Sequence, residues 1–147
     1  MASMTELAEH IIALGDQNGI GVSNLRLQKV MFFALGMHLR KNGIDELAEN
    51  TYDIPFEKWK YGPVVESLYY QYNHLKADDI TKVSNGAYSH EYSHLDKIII
   101  DLLGQDVYRL VRVSHDMPSW AQHEDDILQR NFVESYTLDE IAEDFQP

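Results

Sequence analysis

Residues 23–42, SNLRLQKVMFFALGMHLRKN, decide how the chain folds. Ser23 or Asn24 can accept from the free N–H groups that open a helix, and Gly43 suits the left-handed residue that closes one. Leu27, Val30, Met31, Ala34, Leu35 and His38 recur at helical spacing, while Val30, Phe33 and Met37 add a second apolar stripe. A helix that is apolar nearly all round lies buried among its neighbours. Its unbroken run of eight apolar-or-glycine residues falls well short of the ~20 that span a bilayer. Polar groups collect at the ends: Arg26, Gln28 and Lys29 at the start, His38, Arg40 and Lys41 in the last turns. Arg40 and Lys41 there complement the negative end of the helix dipole. The expected element is a central core helix with a solvated rim.

The rest of the chain bounds what surrounds that helix. A length of 147 residues suits a single domain over 1–147 with a sizeable core. Met1, Ala2 and Ser3 precede a second methionine, and Met4 is expected to be the natural start. There is no cysteine, which removes disulfides and thiolate chemistry and fits a reducing compartment. Glu6 and Glu9 stand where a leader would be basic and then apolar, so no signal peptide and a cytoplasmic location are expected. With 24 acidic and 12 basic residues the net charge is −12. Such a surface repels phosphate backbones, so the chain is not expected to bind nucleic acid on its own, nor a membrane. A basic protein partner is the complementary expectation, and a homo-oligomer stays open.

Working outward, Met4 to about Leu14 reads as a helix, with Ser3 and Glu6 at capping-box spacing. Gly15 to Gly21 holds three glycines and reads as a loop. Beyond Gly43 the chain loosens through Glu49, Asn50 and Thr51. Ile54 to Trp59 then alternates as a short extended segment that Gly62 and Pro63 end. Pro63 suits the first position of a helix carrying Val65, Leu68, Tyr69, Tyr72 and Leu75. Asp78 to Tyr92 is polar and irregular, with a short strand expected at Ile80–Val83. Ser93 is placed to cap a helix burying Leu95, Ile98, Ile99, Leu102 and Leu103, which Gly104 stops. Asp106 caps a short helix through Val111, a turn follows at Ser114–Pro118, and a new helix starts at Ser119 and Trp120. Thr137 and Glu140 cap a last helix with Leu138, Ile141 and Phe145. The fold class expected is mainly α: a compact bundle of six or seven helices around one buried helix, with at most a small β element.

Chemistry-bearing patterns are few. His90-Glu91-Tyr92-Ser93-His94 fits H-E-x-x-H, the pattern that sets two zinc-binding histidines and a general base on one helical face. Ser93, read as a cap, places these residues before the helix and not on it, so a zinc hydrolase using His90, Glu91 and His94 is the remote alternative. Ser114, His115 and Asp116 are triad residue types, but sequence neighbours cannot converge as nucleophile, base and orienter. No phosphate loop is present, and the paired carboxylates Asp78-Asp79 and Asp125-Asp126 sit in solvated stretches. Neither catalysis nor a cofactor is expected. What stands out is aromatic density: Trp59 and Tyr61 beside Pro63, then Tyr69, Tyr70 and Tyr72. Such residues are interface anchors as well as core material, and Tyr70 falls off the apolar face of its helix.

Three stretches together resemble a known family. Leu25 to Ala34 (LRLQKVMFFA) is similar to the L-x-L-Q-K-L-L-Y-F-A stretch of the SocA-like Panacea antitoxin domain, a family that includes phage-associated GepA-type proteins. Phe56 to Val65 (FEKWKYGPVV) resembles its A-W-x-Y-G-P-V segment. Leu110 to His115, followed by Pro118 and Trp120, resembles its L-x-x-x-[ST]-H…P-W element. Phe32 stands for the usual tyrosine, Lys58 for a small residue, and Ser119 separates Pro118 from Trp120. The resemblance, covering roughly Met4 to Phe145, implies an antitoxin that neutralises a cognate protein toxin by direct binding. Its alternatives are a proteolytic adaptor for a toxin, or a phage accessory protein with a host target. It marks Gln28, Lys29, Trp59, Tyr61, Gly62, Pro63, His115 and Trp120 as motif positions. With Tyr70 they are the candidate partner-binding residues. Gln28 and Lys29 need partners at the head of a buried helix; His115 and Trp120 are expected to supply them, with the Tyr61-Gly62-Pro63 turn packed beside.

Overall fold

Ser23 caps the central helix, α2 (Asn24–Asn42), its hydroxyl accepting from the Arg26 N–H at 3.2 Å. Gly43, at φ +73, ends it by donating to the Leu39 carbonyl. The computed structural model describes residues 1–147. From Leu27 through Gly36 every residue of α2 is buried, and His38 and Leu39 follow. An all-round apolar helix has this environment because other elements close on every side.

Eight further α-helices and one two-stranded sheet make up the rest of the fold. Helix α1 (Met4–Gln17) lies along α2, its first turn capped by Ser3, whose hydroxyl accepts from the Glu6 N–H. Helix α3 is Glu46–Thr51, capped by Asp45. Strands β1 (Glu57–Trp59) and β2 (Gly62–Val64) form an antiparallel hairpin, with Lys58 opposite Pro63 and Trp59 opposite Gly62. Helix α4 (Glu66–Tyr72) continues from it, and 3-10 turns cover Asn73–Leu75, Ile80–Lys82 and His90–Leu95. Helices α5 (Asp96–Leu103), α6 (Val107–Asp116), α7 (Pro118–Ala121), α8 (Glu124–Leu128) and α9 (Leu138–Asp144) complete the chain. Arg26 ties α2 to the end of α5, donating to the Leu103 and Gln105 carbonyls at 2.9 and 2.6 Å. No helix is long and apolar enough to cross a membrane.

The core centres on Phe32. Its ring meets Phe33 and Phe56 edge-on, at 5.6 and 5.4 Å between centroids, and lies 5.3 and 5.4 Å from Tyr136 and Phe145. Edge and tilted contacts of this kind let the positive rim of one ring face the negative face of the next. Phe145 crosses α2 at Gly36, where a Cβ would collide with its ring. Glycine there sets how closely the last helix docks.

The mainly helical architecture and the buried central helix agree with the sequence reading; several local features differ. Helix α1 runs through Gly15 to Gln17, since Gly15 is buried against Val22 and tertiary packing offsets its low propensity. Glu49 to Thr51 is helical because Asp45 accepts from the Ala48 N–H and Ala48 and Thr51 pack inward. Pro63 lies in strand β2, and the helix begins three residues later. The strand expected at Ile80–Val83 is instead a 3-10 turn over Ile80–Lys82, its Ile80 N–H donating to Val22 O at 2.7 Å. Ser93 does not cap α5; it lies inside the 3-10 turn, and Leu95 holds the cap position without a side-chain bond. Helix α6 extends through Ser114, His115 and Asp116 instead of turning there. Gln28, Lys29 and His38 are buried, so the rim expected around α2 is confined to half-buried Arg26 at its start and to Arg40 and beyond at its end.

Phe32→Ala removes the ring on which four others converge, and an aromatic-to-alanine change in a core costs ~3–5 kcal/mol. Against a total stability of ~5–15 kcal/mol that is a large loss. Urea denaturation should show a sharply lowered midpoint; an unchanged midpoint would place Phe32 outside the core.

Candidate functional site

The three motif stretches meet at the hairpin. Helix α2 contributes two consecutive polar side chains with no exposure at all, Gln28 and Lys29. Gln28 Oε1 accepts from the Val65 backbone N–H at 2.8 Å, and Lys29 Nζ donates to the Pro63 carbonyl at 2.7 Å. Buried polar groups need such partners, and here the hairpin backbone supplies one to the Gln28 oxygen and one to the Lys29 amine, while Gln28 Nε2 has none. Opposite residues in an antiparallel pair alternate between bonded and unbonded. Pro63 has no N–H, so its pair with Lys58 is the unbonded one, and its carbonyl is free to face Lys29.

Helices α6 and α7 hold the hairpin's turn from the other side. The Trp120 indole N–H donates to Trp59 O at 2.9 Å, and its ring stacks on His115 with centroids 3.7 Å apart and planes 12° apart. Gly62, at φ +98, passes so close to Ser114 that a Cβ would lie 2.6 Å from its Oγ and 3.1 Å from Lys29 Cε. Only glycine meets both demands. Ser114 turns its hydroxyl back to Val111 O at 2.7 Å. His115 and Trp120 thus support the hairpin and do not bond Gln28 or Lys29, contrary to the expectation from the motifs. The backbone of β2 and of Val65 lies between the two sets.

The clamp turns an aromatic face outward. Trp59 is half-buried, with its ring edge-on to Tyr69 at 5.2 Å and 6.3 Å from Tyr70, while Tyr69 and Tyr70 lie 5.6 Å apart. Tyr70 is 60% exposed and Tyr61, at the tip of the turn, 53%. The nine candidate residues therefore form one region with two layers. Gln28, Lys29, Gly62, Pro63 and Trp120 are buried and half-buried His115 packs with them, while Trp59, Tyr61 and Tyr70 reach solvent. Tyr69 belongs to the outer layer too; its place on the apolar side of α4 hid it in the sequence. Asn24, whose side-chain amide donates to Tyr69 O at 3.0 Å, links that helix to α2.

Burial shifts two titratable groups of the inner layer. Burial without a carboxylate partner lowers the Lys29 pKa from 10.5 to about 7. Burial also lowers the His115 pKa; a bond with the Lys60 backbone opposes that, and the nearby Lys29 charge adds to it.

Elsewhere, His90 and His94 lie in the 3-10 turn ahead of α5, where His94 Nε2 faces His38 Nδ1 at 2.9 Å and His38 Nε2 meets Asp45 at 2.9 Å. His90 is exposed beside Tyr88. Residues four apart do not share a face in a 3-10 turn as they do on an α-helix. No group of three or more His, Asp or Glu side chains converges as a metal site would need. Comparison with known proteins finds one family: the model described as "Antitoxin SocA-like, Panacea domain" matches residues 27–121. That span begins inside α2, includes the whole hairpin and ends at α7. No curated protein and no solved structure matches the chain.

The Lys29 shift sets a pH dependence. Folded, the amine loses its proton near pH 7; unfolded, it keeps it to about 10.5. Between those values the unfolded chain binds more protons, so stability rises with pH, and below about 7 the contribution is flat. Above that window the slope reverses, because burial raises the Tyr52, Tyr72 and Tyr136 phenols. The denaturation midpoint should therefore climb from pH 7 to 9 in the native chain and stay nearly level in Lys29→Met. A native midpoint that falls over this interval would show Lys29 to be charged and solvated.

Proposed function

This chain belongs to the SocA-like Panacea antitoxin family, and on that premise we propose that it neutralises a protein toxin by binding it directly and masking its active surface. Family membership carries the antitoxin role. Support for direct binding comes from the outward face of the hairpin. Tyr61 and Tyr70, flanked by Trp59 and Tyr69, expose aromatic surface on a rigid, clamped support. Aromatic anchors of this kind dominate binding energies where they are pre-organised.

Charge has a second part. A toxin that acts on RNA or nucleotides needs a cationic site for phosphate, and a partner of net charge −12 is complementary to it. Such attraction mainly speeds encounter. It weakens as salt shortens the Debye length from ~10 Å at 0.1 M to ~3 Å at 1 M. Affinity then rests on the aromatic anchors.

Co-expression with the product of the adjacent reading frame tests this. The account expects growth to recover, and a complex to survive gel filtration. Tyr70→Ala and Tyr61→Ala, both at exposed positions, should leave the fold intact and weaken the complex about 10- to 30-fold, or ~1.4–2 kcal/mol each. Growth recovery without a complex, lost in a protease-deficient host, would replace masking with delivery of the toxin to a protease.

A further inference from the structure

The hairpin has two edges, and the structure treats them differently. The β2 edge is closed by α2, through Lys29 on the Pro63 carbonyl and Gln28 on the Val65 N–H. The β1 edge is closed at Phe56, whose carbonyl accepts from the Tyr136 N–H at 2.9 Å and whose N–H donates to the Tyr52 hydroxyl, and is open beyond it at Lys58. Because Lys58 is the unbonded partner of Pro63, its own N–H and C=O turn away from β2, and neither bonds any other part of the chain. Lys58 lines a groove of about 390 Å³. One wall is β1 with Lys60; the other is Ile127, Leu128 and Val133, with Arg130 at the lip.

The charges in this groove are uneven. Glu57 is held by the Ser135 hydroxyl at 2.8 Å, and the Lys58 amine by Glu140 at 3.1 Å. Lys60 and Arg130 form no ion pair and are exposed. A chain with twice as many acids as bases thus sets two cations outside any ion pair against the single Glu57 carboxylate at one groove. Arg130 also sits at φ +62, a conformation that glycine takes at no steric cost and arginine does not. Local preference would put another residue there, and departures from local preference concentrate at functional positions.

We propose that this groove takes an extended segment of the protein partner as a third strand on β1. The segment pairs its backbone with Lys58, sets an apolar side chain against Ile127, Leu128 and Val133, and carries a neighbouring acidic side chain to Lys60 and Arg130. Strand addition draws affinity from main-chain bonds and specificity from the pockets beside them. A second copy of this chain fits poorly. Two β1 edges would bring like charges at Lys60 and Arg130 together, and both chains carry −12. The identity of the occupant as a toxin rests on the antitoxin reading; the groove and its preference do not.

The test uses random dodecapeptides displayed on phage, selected on the full-length protein. Enriched sequences should place an acid beside an apolar residue, and their synthetic forms should bind at least tenfold more weakly to the K60E/R130E double variant. Both side chains are exposed and form no hydrogen bond or ion pair, so that variant should melt as the native chain does. Independently of any variant, bound peptide should slow hydrogen exchange at the Lys58 amide. Peptides without the acid, equal binding to the double variant, or a Lys58 amide that exchanges as before would each overturn the proposal. So would concentration-dependent self-association that the double variant abolishes. Failure of the neighbouring toxin to be rescued would remove the toxin as occupant without touching the peptide result, so the two readings fail separately.

Discussion

Two hydrogen bonds from adjacent residues of one helix hold the outward face of this protein in place. Gln28 and Lys29 leave the most buried turn of α2 and end on the Val65 N–H and the Pro63 carbonyl. A two-stranded hairpin alone is at best marginally stable in water. Here one edge is fastened to the central helix, and its turn is fastened to α6 and α7 through Trp120 and Gly62. The aromatic side chains it displays are thereby held on a fixed support.

The use of polar side chains for this fastening has an energetic consequence. An apolar pair at 28 and 29 would leave the Val65 N–H and Pro63 C=O without partners in the interior, and each orphaned group costs ~1–3 kcal/mol. Lys29 brings a cost of its own, because its charge has no carboxylate beside it. The amine meets that cost by a depressed pKa. An amide and an amine also select direction: Gln28 offers an acceptor to an N–H, Lys29 a donor to a C=O. The register of the hairpin against α2 is therefore specified by chemistry, where an apolar contact would allow it to slide.

Much of this was legible in the sequence where the signals are local. Ser23 and Gly43 bound α2 by cap chemistry, and Thr137 with Glu140 forms the capping box that starts α9. The hairpin was not legible. Pro63 suits the first turn of a helix and equally a strand position whose N–H is not required. The choice between them is made by Lys29, 34 residues away, and by Gln28, which is 37 residues from Val65. Helices α3 and α8 are shorter than any helix that is stable alone; α3 forms through the Asp45 cap and buried contacts at Ala48 and Thr51, and α8, without a side-chain cap, through the buried contact at Ile127. At the site, motif and aromatic density marked nine residues that the fold gathers into one region. Their division into a buried clamp and an exposed face depends on which side of the hairpin α2 approaches, and local sequence does not carry that.

The central claim is that Gln28 and Lys29 fix the hairpin, and native-state hydrogen exchange at the Val65 amide in Gln28→Leu tests it most directly. Removing the acceptor should speed exchange at Val65 by ~100-fold or more, while amides in the middle of α2, such as Phe33 and Ala34, keep the protection they have in the native chain. Unchanged protection at Val65, with the helix equally protected, would show that the hairpin is held by something other than the clamp.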